Sequence, residues 1–218
     1  MISFFALIGA IQRKLFFHEE YILWIFKSPF SSLIFIYELY FVLGFSYIFS
    51  KDLRWIIKEF TNSKNGFIKR QKTILIPAFT VLNIVLIYTI LFNVTVIGND
   101  KIINYTFSSP KGKEYTYKDI VKIEAGIHGE KKSFPSLQSK GDFYYIIQLN
   151  DGIEIDLNNE VGGTRNNDDP RFVLEKLDKE YVDMGISKVA SMKNFEYTTK
   201  SLDKIYSDKI KNILENIK

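Results

Sequence analysis

Residues 73–93 read TILIPAFTVLNIVLIYTILFN, a run of 21 residues without a charged side chain. At ~1.5 Å per helical residue the run reaches about 31 Å, enough to cross the hydrocarbon core of a bilayer. Residues 1–97 read as a membrane region, and residues 98–218 as a soluble domain carried by it. The charge divides the same way. Residues 1–50 balance to zero, residues 51–72 hold seven basic against two acidic side chains, and residues 98–218 hold 19 basic against 20 acidic. The net charge of +4 therefore belongs to one loop. A nucleic-acid-binding domain needs a basic face on its folded part, so this distribution excludes nucleic acid as a partner. The chain has no cysteine. A disulfide framework, a cysteine zinc site and a thiol nucleophile are thereby excluded.

Working back toward the N-terminus, Pro29–Ser50 (PFSSLIFIYELYFVLGFSYIFS) is a second spanning candidate, with Glu38 near its middle. A carboxylate at that depth costs on the order of 3 kcal/mol, which the flanking Leu, Ile and Phe offset. Two antiparallel spans, about 29–50 and 73–93, place Glu38 and Asn83 at similar depth. The expectation is an intramembrane polar pair in which a protonated Glu38 hydrogen-bonds Asn83, with Thr80 and Tyr88 as lesser partners. Such a pair acts either as structural glue or as a proton or ligand site.

The loop 51–72 joins the spans. Trp55, Ile56, Ile57 and Phe60 among Arg54, Lys58 and Glu59 predict a short interfacial helix, and Asn65-Gly66 a turn. The positive-inside rule makes this loop cytoplasmic and the C-terminal domain extracytoplasmic in a two-span, multi-pass protein. Before the spans, Met1–Ile11 is too short to cross and lacks the basic start and cleavage site of a signal peptide. Met1–Ile11 and Tyr21–Phe26 read as interfacial helix, with Phe16, Phe17, Tyr21 and Trp24 at headgroup depth and Arg13, Lys14 and Lys27 snorkelling. The alternative is an irregular buried segment packed on the domain.

After Val94 the pattern becomes period two, the mark of half-buried antiparallel strands. Ile103, Tyr105 and Phe107 share one face, as do Val121, Ile123, Ala125 and Ile127. Phe143–Leu157 forms a hairpin. A three-residue loop, Asn150-Asp151-Gly152 with Gly152 left-handed, pairs Leu149 with Ile153 and aligns both apolar rows, which a two-residue turn does not. Asp169-Pro170 starts a helix as cap and first residue. Phe172, Val173, Leu177, Tyr181 and Met184 are its stripe, and Gly185 its stop. A second helix from about Thr199 carries Leu202, Ile205, Tyr206, Ile210, Ile213 and Ile217. The fold class is thus a membrane α-helical hairpin plus an α+β domain.

The run Tyr115-Thr116-Tyr117-Lys118-Asp119-Ile120, then Ile123, Gly126 and Tyr144–Leu149 leading into Asp151-Gly152 and Ile153–Leu157, resembles the bacterial pleckstrin-homology-like (PH-like) domains of small two-span membrane proteins. The resemblance covers about 94–186. It implies a strongly bent antiparallel sheet capped by a C-terminal helix, with no enzymatic activity. The second C-terminal helix is an addition to that pattern. Two-span relatives keep their domain in the cytoplasm, opposite to the side that the basic loop implies here.

Individual residues point to little chemistry. His18 and His128 stand alone; His128, between Glu124 and Glu130, is a general base only if a carboxylate orients it toward a cleft. Asp168 and Asp169 lack EF-hand spacing and read as helix capping. Gly162-Gly163-Thr164-Arg165 lacks the frame of a phosphate loop and reads as mobile loop. Asn93-Val94-Thr95 and Asn104-Tyr105-Thr106 match glycan acceptors at a length that arises by chance. No catalytic, cofactor or metal motif is present. The chain reads as a membrane-anchored binding module of a bacterial envelope protein, with the bilayer and a protein, peptide or lipid headgroup as partners. By resemblance it is tied to envelope stress or to self-protection against membrane-active peptides. The alternative is an assembly subunit of a membrane complex that uses Glu38 and the aromatic N-terminal helix; a membrane enzyme is disfavoured for want of a motif.

Overall fold

The computed structural model describes residues 4–16, 21–27, 29–61, 66–131, 139–159 and 161–217. In chain order these form α1 (Phe4–Phe16), β1 (Tyr21–Phe26), α2 (Ile34–Phe49), α3 (Lys51–Thr61), α4 (Gly66–Leu91), β2 (Val94–Gly98), β3 (Lys101–Thr106), β4 (Ser109–Thr116), β5 (Ile120–Ile127), β6 (Phe143–Leu149), β7 (Glu154–Asp156), β8 (Val161–Thr164), α5 (Pro170–Asp183), β9 (Lys188–Ala190), α6 (Phe195–Ser201) and α7 (Lys204–Glu215). The fold is α+β. Two sheets, ordered β4-β3-β2-β1-β8 and β7-β6-β5-β9, are antiparallel apart from the β5–β9 pair. Two more helices, α6 and α7, follow the capping helix α5.

Tyr21–Phe26 is a strand, not the interfacial helix its aromatic residues imply. It pairs with β2 on one side and β8 on the other. Its alternate residues enter two cores. Leu23 and Ile25 join the main core between the sheets, while Tyr21, Trp24 and Phe26 join a second cluster with Phe16, Ile34, Ile90, Val94 and Tyr105. A strand buried on both faces is apolar throughout and carries no period. The first sheet thus crosses the boundary drawn between residues 97 and 98. Gly162-Gly163 likewise lies in a strand rather than a loop. A Cβ on Gly162 would lie 2.1 Å from the Trp24 ring, so glycine is required for β8 to approach β1.

The helices α2, α3 and α4 are inserted between the adjacent strands β1 and β2, whose ladder ends at Phe26 opposite Val94. The Lys27 amide donates to the Asn93 carbonyl at 3.3 Å, just beyond the last pair. Among the described residues one helical segment, Phe30–Phe49, is long and apolar enough to cross a membrane; Ile76–Leu91 is a shorter apolar helix. Phe41, Val42, Leu43, Phe45, Ile48 and Phe49 are each half or more exposed. Ile74, Ile76, Val81 and Ile84 on α4 are likewise exposed. The amide of Asn83 and hydroxyl of Thr80 donate to the carbonyls four residues back, Phe79 and Ile76, around the helix-interior Pro77.

The turn at Asn150-Asp151-Gly152 has three residues. Gly152 is left-handed at φ +85°, Leu149 accepts from Gly152 and donates to Ile153, and Ile147 faces Ile155. The turn also ties the sheets together. The Asp151 carboxylate accepts from Lys113 Nζ at 2.7 Å and Tyr115 Oη at 2.6 Å, both on β4. Asn150 donates through its amide nitrogen and its side chain to Asp119. In β5 a register shift between Ile120 and Lys122 turns Val121 out to solvent and places Ile120 in the core, against the simple alternation.

Asp169 caps α5 by accepting from the Arg171 amide at 2.9 Å, and Pro170 is the first helical residue. Gly185, at φ +80°, ends it: the Gly185 amide donates to Val182 and the Ile186 amide to Tyr181. The buried stripe is Val173, Leu174, Leu177, Tyr181 and Val182, while Met184 points outward. The expected second helix breaks at Leu202, and the Asp203 carbonyl starts α7 anew. That resets its phase: Ile210, Ile213 and Leu214 are buried, whereas Ile205 and Ile217 are exposed. Asp178 of α5, 1% exposed, joins these parts. Its carboxylate accepts from Tyr145 Oη at 2.8 Å, Asn216 Nδ2 at 2.8 Å and the ammonium of Lys188 on β9. The Lys188 ammonium also donates to the carbonyls of Ile213 and Asn216 at the end of α7.

Two predictions follow from these ties. Asp178→Ala leaves a buried ammonium without its counter-charge and a buried phenol without its acceptor, and guanidinium unfolding should show a loss of about 3–5 kcal/mol. The Lys113 and Tyr115 hydrogen bonds hold the Asp151 carboxyl down at about 2, against an ordinary 3.8. A depressed folded pKa adds stability above pH ~4 that is lost as pH falls toward 2. Acid titration of unfolding should therefore give a shallower decline between pH 4 and 2 for Asp151→Asn than for the native chain.

Candidate functional site

The C-terminal elements close over the end of the second sheet around a cavity of about 610 Å³. His128 comes from the end of β5, Asp156 from β7, Asn158 from the segment after it, and Arg171 from the first turn of α5; Leu202 and Ile210 supply the apolar wall. A second cavity of about 320 Å³ lies across β7 and shares Ile146, Asp156 and Asn159 with the first. Its far wall is Ile25, Phe26, Lys27 and Phe30, at the foot of the helical insertion. The two cavities thus adjoin through shared lining residues, one toward the C-terminal helices and the other toward the point where the chain leaves the first sheet.

Local structure fixes each polar group. Asp156 is the last residue of the short edge strand β7, opposite Ile146, and its Oδ1 accepts from the amides of Tyr145 at 3.1 Å and Asn158 at 3.0 Å. Burial raises the Asp156 carboxyl above its usual range, and the amides of Asn158, Tyr145 and Asn159 and the nearby His128 oppose that rise. Asn158 Nδ2 donates to the Phe143 carbonyl at 2.7 Å, which locks the segment after β7 onto β6. The His128 ring lies 4.6 Å from that of Tyr144. The guanidinium of Arg171 is held by Asp169 Oδ1, 3.2 Å from Nε, and lies over the Tyr206 ring at 4.5 Å. Arg171 Nη1 is buried and has no hydrogen-bond partner among the described residues. At the other end Lys27 does not snorkel. Its Nζ donates to the Tyr105 carbonyl at 2.9 Å, and burial lowers its pKa to about 8.

Cations at both ends and a buried carboxyl between them suit a ligand that brings an anionic group to Arg171 and a donor to Asp156. Among the described residues no three His, Cys, Asp or Glu side chains gather to hold a metal. Of the residues singled out in sequence, His128 lines this crevice and Asp169 supports it from below as cap. Asp168 lies apart from it, and its carbonyl accepts from Thr164 Oγ1. His18 lies outside the described residues. Asn93 and Asn104, in the two acceptor-like tripeptides, are buried and hydrogen-bonded, Asn93 to Thr89 and Asn104 to Thr95. Arg171 and Asp156 escape sequence reasoning, because their only local signal is a helix start and a short strand.

The pair Glu38 and Asn83 lies elsewhere, on α2 and α4. A hydrogen bond between these helices runs from Tyr37 Oη, one residue before Glu38, to the Asn83 carbonyl at 3.2 Å. The Asn83 side chain donates to Phe79 of its own helix.

No protein-family model, curated protein or solved structure matches the chain.

If Arg171 Nη1 receives an anion, inorganic phosphate at tens of millimolar should raise the thermal midpoint of the native chain by mass action. Arg171→Met keeps the apolar stem over Tyr206 and should cost only about 1–2 kcal/mol, from the ion pair and the ring contact. The phosphate-dependent rise should vanish in that variant, as read by a thermal melt with and without phosphate.

Proposed function

We propose that the chain is a membrane-anchored binding module: an α+β domain of PH-like form, held at a bilayer by a two-span helical hairpin. Its crevice takes an anionic group of a protein, peptide or lipid-headgroup partner. The observation that carries the reading is the insertion of α2–α4 between neighbouring strands. Because Phe26 faces Val94 in one ladder, the chain returns to the side it left. If α2 crosses a bilayer, residues 27–93 cross it an even number of times, and α4 is the return span. The outward Phe, Leu and Ile of α2 and α4 favour lipid as their surroundings, since a surface this apolar on a water-soluble domain is an aggregation liability.

The connection 51–72 then lies across the membrane from the domain. Its seven basic side chains favour the cytoplasm for the loop and the outside for the domain. α3 suits an interfacial position, with Trp55 and Ile56 exposed beside Arg54 and Lys58. Arg54 also donates to the Ile48 carbonyl, and Ser50 Oγ accepts from the Leu53 amide, so the corner between α2 and α3 is closed. The PH-like assignment is supported by two sheets of short strands with α5 against their shared core. Within the hairpin, Glu38 and Asn83 remain the proposed intramembrane pair, brought to one depth by the Tyr37 bond.

The cysteine-free chain permits a direct test. Single cysteines replace Ser139 in the domain and Asn65 in the loop, and intact cells are treated with a membrane-impermeant thiol reagent. Labelling of Ser139→Cys alone is the expected result. Labelling of Asn65→Cys alone keeps the two spans but reverses the orientation. Labelling at both positions removes the two-span anchor.

A further inference from the structure

We propose that α1 and the β3–β4 turn form a lipid-contact platform, in which Leu7, Ile11, Leu15 and Phe107 enter the headgroup zone of the leaflet nearest the domain and fix the domain's orientation on the bilayer. The inference rests on the two-span reading above.

The position of α1 is set by one face. Gln12 is fully buried, and its Nε2 donates to the carbonyls of Ile90 and Leu91 at 3.1 Å each. These are end carbonyls of α4 that lack a helical partner, so α1 caps the helix where it reaches the sheet. One turn on, the Phe16 ring lies 5.2 Å from Phe92 and 4.5 Å from Tyr105. Gly9 lies over Trp24, where an added Cβ would stand 3.1 Å from the indole. α1 is thereby wedged between the outer face of the first sheet and the foot of the hairpin.

The free face of the same helix is apolar. Leu7, Ile11 and Leu15 are 49%, 37% and 52% exposed and stand four residues apart in one row. With 3.6 residues per turn this row adjoins the Ile8, Gln12 and Phe16 face, which is the side of the hairpin. Arg13 falls on the opposite flank with Ala6 and Ala10, beside β8. The apolar row therefore adjoins the side of the hairpin; Arg13 turns away from it, while Lys14, seven residues on from Leu7, borders the row, where its stem can lie along the apolar surface with the ammonium at headgroup phosphate. Phe107 adds an independent observation. It sits half exposed at the tip of the turn between β3 and β4, where polar turn residues are the rule. Its ring meets Tyr88 edge-on at 5.2 Å, and Tyr88 stacks on Phe92 at 4.5 Å. An aromatic side chain at the last turn of a spanning helix matches the belt found at membrane interfaces. Through the ring series Phe16, Phe92, Tyr88 and Phe107, helix and turn meet at the last turns of α4, a geometry that a flat bilayer satisfies. A second copy of the chain would have to occupy the headgroup zone to cover both.

The test uses the full chain in nanodiscs of phosphatidylcholine and phosphatidylglycerol at a 3:1 ratio, with single cysteines in place of Ile11, Phe107 or Lys118, each carrying the fluorophore NBD. Lys118 is the aqueous reference, because Thr116 pairs with Lys101 at the end of β3 remote from Phe107. The expected result is blue-shifted emission at positions 11 and 107 and several-fold stronger quenching there by lipid spin-labelled near the top of the acyl chain. The variant Leu7→Asn/Ile11→Asn/Leu15→Asn, with NBD at 107, should still enter nanodiscs but lose most of that quenching. Emission and quenching at 11 and 107 equal to those at 118, in chains that do enter nanodiscs, would overturn the platform and leave the anchor intact. Emission at 11 that shifts only when two copies share a disc would overturn it in favour of self-association. A chain that stays in solution without lipid or detergent removes the anchor and the platform together.

Discussion

The backbone pairing of β1 with β2 up to Phe26 and Val94 is the constraint on which the rest of this structure depends. Sixty-seven residues, 27–93, leave the sheet and return to it between these two positions. Closing a loop of that length costs on the order of 4 kcal/mol in chain entropy before any fixed term. The seam offsets that cost through burial on both faces, with Leu23, Ile25 and Ile97 inward and Trp24, Phe26, Val94 and Val96 under α1. It also determines how the helices can lie, because two strands one ladder apart force α2 and α4 to start and finish together. The cap that Gln12 places on α4 and the Tyr37–Asn83 bond then act on helices already brought side by side.

The second set of ties joins the sheets to the C-terminal helices. The Asp178 carboxylate gathers one hydroxyl, one ammonium and one amide from three separate elements, and each of those donors is buried or part-buried. Burial pushes the Lys188 ammonium below its ordinary lysine value, which the Asp178 hydrogen bond and charge oppose. A buried pair of this kind is weak evidence for extra stability, but it is strongly position-specific: removing either partner leaves an uncompensated charge. Here it sets the register of β9 on β5 and the docking of α7, two of the three elements that follow α5. At the other end of the second sheet, Asp151 and Asn150 bind β4 and Asp119, so the hairpin turn is a fastening rather than a free tip.

Much of this was legible in local sequence. The Asp169-Pro170 start of α5 and the Gly152 turn depend on residues within one turn of each other, and local rules reach them. What was not legible depends on remote partners. YILWIF at 21–26 has no period because it is buried on both faces, and a short apolar run cannot be told from helix by pattern. The aromatic content there reflects a second core, not headgroup depth. Gly162 is glycine because of the Trp24 ring, which lies far away in sequence. The phase of α7 was misread because Leu202 belongs to the break before it, so counting from Thr199 places Ile205 inward and omits Leu214. The crevice shares this non-locality: His128, Asp156 and Arg171 come from three elements, and none is unusual in its own segment.

Lys27 shows how the sheet and the helical insertion become one unit. It is the first residue after β1 and lies between the last strand pair and the apolar helix. A lysine there is expected to extend its ammonium outward to water or headgroups. Instead its Nζ turns to the Tyr105 carbonyl near the end of β3, and its stem lines the smaller cavity beside Phe30. That cavity shares Asp156 and Asn159 with the larger one. A side chain at the foot of the helical insertion therefore lines a cavity that adjoins the one lined by Arg171. On the proposed reading, a partner that fills both cavities would touch the residue that joins the sheet to the helical insertion. With its pKa lowered to about 8, Lys27 is still largely cationic at neutral pH. On the proposed reading that charge would favour an anionic partner, and the loss of hydration that lowers its pKa would also strengthen its attraction for such a partner.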